Sequence, residues 1–190
     1  VFGDVYLPNQ IQPLWFIEGM AVMEETYRTG TGRIRSAEFR ATLRMNALEG
    51  KLLSLGEASN DMRQYPRGSN PYIYGAMFVD YLRTRFGEEK LSEIVREYGS
   101  NTVPYAVNRT FERVLGVELV ELYDDWLAAV RADAKAAAAA IEAKGRTESE
   151  ALTADGEAKG QPVYSRDGRT LLLSASDGET RAGLFALPLD

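Results

Sequence analysis

The spacing of the apolar residues changes once along this chain, and that change limits the folds open to it. From Leu14 to about Ala140, apolar residues recur at the three- and four-residue spacing of helices. After Gly145 comes a polar stretch, followed by short apolar runs with Asp-Gly pairs between them, typical of strands and tight turns. The sequence therefore predicts a mainly α chain, with a helical domain at 1–144, a linker at 145–160 and a short β segment at 161–190.

Local signals give the expected elements. Pro13 suits the start of a first helix, and Ser36 suits the cap of a second. The segment 54–71 is polar and rich in turn residues, and no helix or strand is assigned to it. The predicted helices cover residues 14–28, 36–48, 72–85, 88–98, 105–115 and 118–140. The predicted strands cover residues 162–165, 170–176 and 184–187.

The composition argues against several classes of function. The 190 residues carry a net charge of −6, which argues against a nucleic-acid binder because such proteins usually present a basic face. No apolar run approaches the roughly 18 residues of a membrane span, so none is expected. Cysteine and histidine are both absent. Chemistry performed by this chain alone must therefore use Asp, Glu, Lys, Tyr, Ser or Thr.

Glu18 is the most informative single residue. The helix around it, from Leu14 to Met23, is apolar on nearly all sides and is expected to be buried. A carboxylate in such a helix needs a partner, a proton or a metal, because leaving it unpaired is costly. Two interpretations are open: an edge glutamate paired with an arginine, or a functional carboxylate.

The residues around Glu18 carry a resemblance to a known family. The run Trp15-Phe16-Ile17-Glu18-Gly19-Met20-Ala21-Val22-Met23-Glu24-Glu25 resembles W-L-x-E-G-x-A-x-x-x-E, the helix that supplies the third zinc ligand in gluzincin metallopeptidases, including the aminopeptidase and leukotriene-A4-hydrolase families. The resemblance implies that Glu18 is a metal ligand and that Glu25, on the same helix face, supports it from behind. Gly19 and Ala21 are small, so a neighbouring helix can approach closely.

A second stretch resembles the same families. The run Asn70-Pro71-Tyr72-Ile73-Tyr74-Gly75 is similar to their P-Y-x-K-G segment, in which the tyrosine hydrogen-bonds the oxyanion of the tetrahedral intermediate. Tyr72 matches that tyrosine, while Tyr74 stands where the pattern has lysine. The candidate catalytic residues are therefore Tyr72 and Tyr74, against the alternative that both are core aromatics.

The family resemblance covers roughly residues 8–130, because the later helices are similar to those of peptidase-MA-like proteins. The chain contains no H-E-x-x-H, which in the family supplies two histidine ligands and the general base. The resemblance places that helix before Val1, so it was lost either by truncation or in evolution. The implied cofactor is zinc in a longer parent, and we expect this chain alone to be inactive and to bind zinc weakly or not at all.

The C-terminal segment carries a different resemblance. Residues 164–173 are similar to the F-S-P-D-G-K-x-I-x-F repeat of TolB-like and WD40-like β-propellers, with Asp167-Gly168 at the turn. A single repeat cannot bury its own faces, so the resemblance implies that these are the first strands of a propeller. Such a propeller would bind protein partners or substrate. The alternative is an ordinary β-hairpin.

Together these resemblances imply a zinc-dependent metallopeptidase-like parent that hydrolyses peptides or proteins, located outside the cytoplasm in the periplasm or secreted. One alternative is a catalytically inactive peptidase fold that serves as a scaffold or binding module. Another is a plain helical interaction domain, which predicts that Glu18 lies at the surface beside a basic residue and away from Tyr72.

Overall fold

The computed structural model describes residues 12–60, 63–100, 107–145, 147, 149–154, 159–176 and 182–189. Its α-helices are α1 (Leu14–Arg28), α2 (Ala37–Leu48), α3 (Leu55–Asn60), α4 (Asn70–Phe86), α5 (Glu88–Ser100), α6 (Val107–Leu115) and α7 (Leu119–Glu142). Its strands are β1 (Lys159–Tyr164), β2 (Thr170–Ala175) and β3 (Gly183–Pro188). The prediction of a mainly helical chain with a short β segment is confirmed. The predicted start of the fifth helix, at Tyr105, lies outside the described residues.

The chain divides into two compact units, Val1–Gly145 and Arg146–Asp190. The helices α1 to α7 belong to the first unit and the three strands to the second. Each unit has its own cluster of buried apolar side chains. Strand β1 begins at Lys159, two residues inside the predicted linker, because Lys159 and Gly160 already pair with β2.

Two glycines bring α1 and α4 into close contact. A Cβ atom added at Gly19 would come within 2.5 Å of the Gly75 carbonyl carbon and oxygen. A Cβ added at Gly75 would collide with the Trp15 carbonyl oxygen. The helices therefore cross backbone to backbone, an approach that residues with larger side chains would prevent.

Only one side of helix α1 is buried by the described residues. Its buried residues recur at helical spacing and face α4 and the core: Trp15, Phe16, Gly19, Val22, Met23 and Thr26. On the opposite side, Leu14 remains 37% exposed and Ala21 is exposed. The expectation of a helix buried on all sides is wrong for the described part of the chain, because packing against α4 occupies a single stripe of α1.

Aromatic side chains fill the centre of the helical unit. The Phe78 ring on α4 lies 5.3 Å from that of Trp15, 5.0 Å from Tyr123 and 5.4 Å from Trp126, measured between centroids. The Phe111 ring on α6 lies 5.7 Å from that of Phe16. These tilted and edge-on contacts are favourable arrangements for aromatic pairs and connect α1, α4, α6 and α7 in one core.

The segment 54–71 contains regular structure that the sequence analysis did not predict. Helix α3 occupies Leu55–Asn60, and Ser54 caps it together with Glu57. The Ser54 amide donates to Glu57 Oε2 at 2.8 Å, and the Glu57 amide donates to Ser54 Oγ at 3.4 Å. This reciprocal pairing is a capping box, and its S-x-x-E signature at Ser54-Leu55-Gly56-Glu57 was available in the sequence.

A short 3-10 helix, Arg33–Arg35, folds back against the end of α1. Gly32, just before it, has φ of 144° and lies so close to Thr26 that a side chain would not fit. Thr26 Oγ1 accepts a hydrogen bond from the Ile34 amide at 3.3 Å, and Ile34 is buried. The backbone on both sides of Arg33 is thereby fixed to α1.

The β unit is an antiparallel sheet in the order β1-β2-β3. Between β1 and β2, Gly168 takes φ of 73°, and the Arg169 amide donates to Asp167 Oδ1 at 3.1 Å. The predicted turn at Asp167-Gly168 is therefore present. The second predicted turn, at Asp177-Gly178, lies outside the described residues.

Both faces of this sheet carry apolar residues. Leu171 and Leu173 are 8% and 7% exposed and belong to the buried cluster of one face. On the other face, Leu172 is 46% and Leu184 87% exposed. A sheet that is apolar on both faces is typical of one packed between two other layers.

Among the described residues, no helix combines the length and the hydropathy that a bilayer span requires. The longest helix, α7, has 24 residues and carries several charged side chains.

Candidate functional site

The site is built where α1 and α4 cross. Glu18 precedes Gly19 on α1, and Tyr72 lies three residues before Gly75 on α4. Residues three apart share one face of a helix, so the contact between the two glycines brings Tyr72 next to the Glu18 side of α1. Both side chains are partly exposed rather than enclosed in the core.

The Glu18 carboxylate affects the ionisation of Tyr72. Hydrogen bonding to the Glu18 carboxylate, with the negative charge beside it, raises the pKa of the Tyr72 phenol, while Arg33 acts in the opposite direction. The reason is that the phenol gives up its hydrogen bond and meets a like charge when it ionises. At neutral pH Tyr72 is therefore a neutral O–H donor beside a carboxylate.

Arg33 also lies near the Tyr72 ring. Its guanidinium carbon lies 5.6 Å from the ring centroid, within the range of a cation–π contact. Its Nη2 and Nε atoms lie 2.6 and 2.9 Å from Oε2 of Glu25. Hydrogen bonding from Arg33 lowers the pKa of the Glu25 carboxyl. Glu25 thus reaches the site through Arg33.

Tyr74 lies on the opposite side of α4, because residues two apart on a helix point in different directions. Its side chain is fully buried, and its ring meets Trp126 edge-on at 6.0 Å between centroids. Its hydroxyl accepts hydrogen bonds from Asn46 Nδ2 at 2.9 Å and from the Leu53 amide at 3.4 Å. The structure brings Tyr72, and not Tyr74, to Glu18.

This difference predicts unequal effects on stability. Tyr74→Phe should reduce the free energy of unfolding by about 1–3 kcal/mol, since it leaves two buried donors without their acceptor. Tyr72→Phe should change it by less than about 0.5 kcal/mol, because that hydroxyl is near the surface. Urea unfolding followed by circular dichroism measures both values. Equal losses would contradict the burial of the Tyr74 hydroxyl.

Glu18 can supply one ligand of a zinc site. Glu18 is a partly exposed carboxylate of the type that binds zinc, but catalytic zinc sites use three protein ligands. The described residues contain no cluster of three histidine, cysteine, aspartate or glutamate side chains, and the whole sequence has no histidine. Glu18 can therefore supply one ligand, and the described residues do not supply the other two.

The adjacent acidic residues are engaged elsewhere. Glu24 pairs with Arg28 at 2.9 Å, and Glu25 pairs with Arg33, so the two carboxylates point apart. On α7, Asp125 pairs with Arg85 at 2.7 Å. Neither Glu24-Glu25 nor Asp124-Asp125 forms a carboxylate pair suited to acid–base catalysis.

Sequence reasoning did not identify Arg33 as part of the site. It follows the Gly30-Thr31-Gly32 run, whose only evident role in the sequence was to end a helix. The relevant residue in the sequence is Gly32. In the structure it takes positive φ and packs against α1, and this conformation sets the position of Arg33.

The comparisons with known proteins do not indicate an activity for this chain. It is similar to a protein of Treponema pallidum (strain Nichols) described as uncharacterized, with 28% identity over 121 residues, which is 64% of this chain and 11% of that protein. The chain thus spans about a tenth of the length of this relative. No protein-family model matches the chain. No solved structure matches it either.

Proposed function

We propose that this chain supplies the third metal ligand and the oxyanion donor of a gluzincin-type zinc metallopeptidase, as part of a longer protein. The observation that carries the proposal is the crossing of α1 and α4 at Gly19 and Gly75, which sets Tyr72 beside the Glu18 side of α1, where the Glu18 carboxylate raises the pKa of the phenol. The two residues lie 54 positions apart in the sequence and each matches a different motif of the family. Their convergence is what a shared active site requires.

The proposed roles follow from the chemistry of the two groups. Glu18 offers a carboxylate oxygen to the metal, and Tyr72 holds its proton and donates it as a hydrogen bond to a developing oxyanion. A tyrosine is protonated at neutral pH and can donate this hydrogen bond, which a phenolate could not do. Bound zinc would polarise the scissile carbonyl and a water molecule.

The uncovered side of α1 offers a place for the remaining ligands. Glu18 and Ala21 lie on the side of α1 that the described residues leave partly or fully exposed. An H-E-x-x-H helix packed there would set its two histidines beside Glu18. The small Ala21 side chain would allow such a helix to come close.

The β unit is assigned, within the same proposal, to the start of a propeller. Its support is the apolar character of both faces of the sheet, including Leu172 and Leu184. Neighbouring blades would cover these faces, and the completed propeller would bind the peptide substrate or a protein partner. An extracytoplasmic location is part of the proposal and rests on the family resemblance alone.

The test is made on the longer protein. Its gene is first read for an H-E-x-x-H upstream of Val1, and the purified protein is then assayed for zinc by mass spectrometry. Glu18→Gln should weaken zinc binding by roughly 100-fold or more, since it removes a charged ligand. The matched control Glu24→Gln alters a partly exposed glutamate of the same helix, already paired with Arg28, and should retain zinc.

A second function is favoured by a specific observation. The Glu18 carboxylate already acts on the Tyr72 phenol with no metal involved, so the pair can also belong to an inactive scaffold. A gene that encodes no H-E-x-x-H, together with a protein that binds no zinc, would remove the peptidase proposal and leave the scaffold.

A further inference from the structure

An open groove lies at the N-terminal end of α1, next to the residues discussed above. Its volume is about 730 Å³, within the range of roughly 300–1,000 Å³ that ligand sites occupy. Four helices line it, with Leu14 and Ile17 from α1, Leu55 and Asn60 from α3, Asn108 from α6 and Val120 from α7. We call it the α1–α7 groove.

The lining of the α1–α7 groove is uncharged over the residues that the structure describes. None of them is Asp, Glu, Lys or Arg, although these four types make up 26% of the sequence. Two apolar side chains of the lining remain open to solvent, since Leu14 is 37% and Val120 50% exposed. A charged ligand would lose water there without gaining a partner of opposite charge, so the lining favours an uncharged one.

Amide side chains lie among the apolar ones. Gln12, Asn60 and Asn108 all line the groove, and the two asparagines are exposed. Each amide side chain has donors and an acceptor, as the N–H and C=O groups of a peptide chain do. An apolar surface with amides placed along it therefore suits a peptide, whose backbone can bond to the amides while its apolar side chains contact Leu14 and Val120.

The groove is continuous with the Glu18 face of α1. Leu14, Glu18 and Ala21 follow one another at four- and three-residue spacing, so they share one face of the helix. Ile17 lines the groove and directly precedes Glu18. Ala21, where the histidine helix is proposed to pack, lies four residues beyond Ile17, about 6 Å further along the axis. A peptide in the groove would thus approach Glu18 from the N-terminal side of α1.

We propose that the α1–α7 groove binds a short, uncharged and apolar segment of a peptide. The inference rests on the proposed function for its further meaning, in which this segment belongs to the substrate and the bond to be cleaved lies beyond Ile17, beside Glu18. Leu14 and Val120 would then set a preference for apolar side chains in the substrate.

The experiment uses the 190-residue chain without metal and the peptide acetyl-Ala-Leu-Ala-Leu-Ala-amide as the probe. Heteronuclear NMR follows the backbone amide signals while the peptide is added. Signals of Ile17, Asn60, Asn108 and Val120 should shift in a saturable way, because these residues line the groove. The same peptide with Glu or with Lys in place of Leu should bind at least about tenfold more weakly, since the groove offers no charge to pair with.

One substitution in the groove and one outside it complete the design. Val120→Glu places a charge in the groove and should weaken binding of the leucine peptide at least about tenfold. The variant should fold, because Val120 is half exposed and lies in the first turn of α7, where an acidic residue is favourable. Val95→Glu makes the same change at an exposed valine of α5 outside the groove and should bind as the original chain does. Circular dichroism melting verifies that both variants are folded.

Three results would overturn the inference. The first is the absence of saturable shifts, and the second is equal binding of the leucine peptide by Val120→Glu and Val95→Glu. The third concerns the competing occupant, a second copy of the chain. Sedimentation that shows a dimer which Val120→Glu dissociates would assign the groove to self-association.

Failure of this inference is distinguishable from failure of the proposed function, because peptide binding is measured without metal. A longer protein that binds no zinc, together with a chain that binds the leucine peptide, would leave the groove as the binding site of a scaffold. A longer protein that binds zinc and cleaves peptides, with a KM unchanged by Val120→Glu, would retain the peptidase and reject the groove.

Discussion

Gly75→Ala should unfold the helical unit or reduce its free energy of unfolding by at least about 3 kcal/mol. The added Cβ would collide with the carbonyl oxygen of Trp15 and come within 3.2 Å of its Cα atom. These are backbone atoms of a neighbouring helix and cannot rotate away. Relief requires α1 and α4 to separate, which would open the aromatic contact between Trp15 and Phe78.

The matched control for this substitution is Gly99→Ala. Gly99 lies in α5, and a Cβ there would meet nothing within 4 Å. Alanine has a higher helix propensity than glycine, so this variant should be more stable by up to about 1 kcal/mol. Urea unfolding followed by circular dichroism compares the two. A Gly75→Ala protein with the unfolding midpoint of the original would show that the helices do not cross backbone to backbone.

The same crossing brings together the two segments that resemble gluzincin motifs. Glu18 is next to Gly19 on α1, and Tyr72 is three residues before Gly75 on α4. A change that separates the two helices at these glycines therefore also separates the carboxylate from the phenol. In Gly75→Ala the loss of stability and the loss of the Tyr72–Glu18 contact should therefore occur together. Stability and the proposed site therefore depend on the same pair of glycines.

The sequence predicted the helices well where apolar periodicity and end signals agreed. Ser36 caps α2 through a hydrogen bond from the Glu38 amide at 3.1 Å, and Gly87 ends α4 with positive φ. Helix α3 was missed because the prediction weighed the turn residues of 54–71 above the capping box at Ser54. A six-residue helix has too few apolar positions to show a clear period.

The choice between Tyr72 and Tyr74 was open in the sequence because a second tyrosine, Tyr74, stands where the family pattern has lysine. The structure separates them by helix face: Tyr72 shares the face of Gly75 that meets α1, while Tyr74 faces α2 and α7 through Asn46 and Trp126. No local sequence pattern indicates that Arg33 lies beside Tyr72. Its place depends on a turn that folds back over α1, which is a tertiary contact.

If the proposed function is right, Tyr72→Phe should lower kcat about 10²–10³-fold in the zinc-loaded longer protein, with little change in zinc content or KM. The reason is that the phenol donates to the oxyanion, which exists in the transition state and not in the bound substrate. Phenylalanine keeps the ring, its packing and the Arg33 contact, and removes only the hydroxyl.

The control for this loss is Tyr27→Phe. Tyr27 is also a phenol that donates to a carboxylate, Asp80, at 2.6 Å, and this bond raises its pKa in the same way. It lies nine residues from Glu18, about 13 Å along α1, too far to reach the same substrate atom. Tyr27→Phe should leave kcat unchanged. If both variants lost activity equally, the loss would be attributed to the hydrogen bonds on the surface of α1 and α4. The assignment of Tyr72 as the oxyanion donor would then be wrong. If Tyr72→Phe alone lost activity while zinc was retained, the hydroxyl beside Glu18 would be assigned to the chemical step.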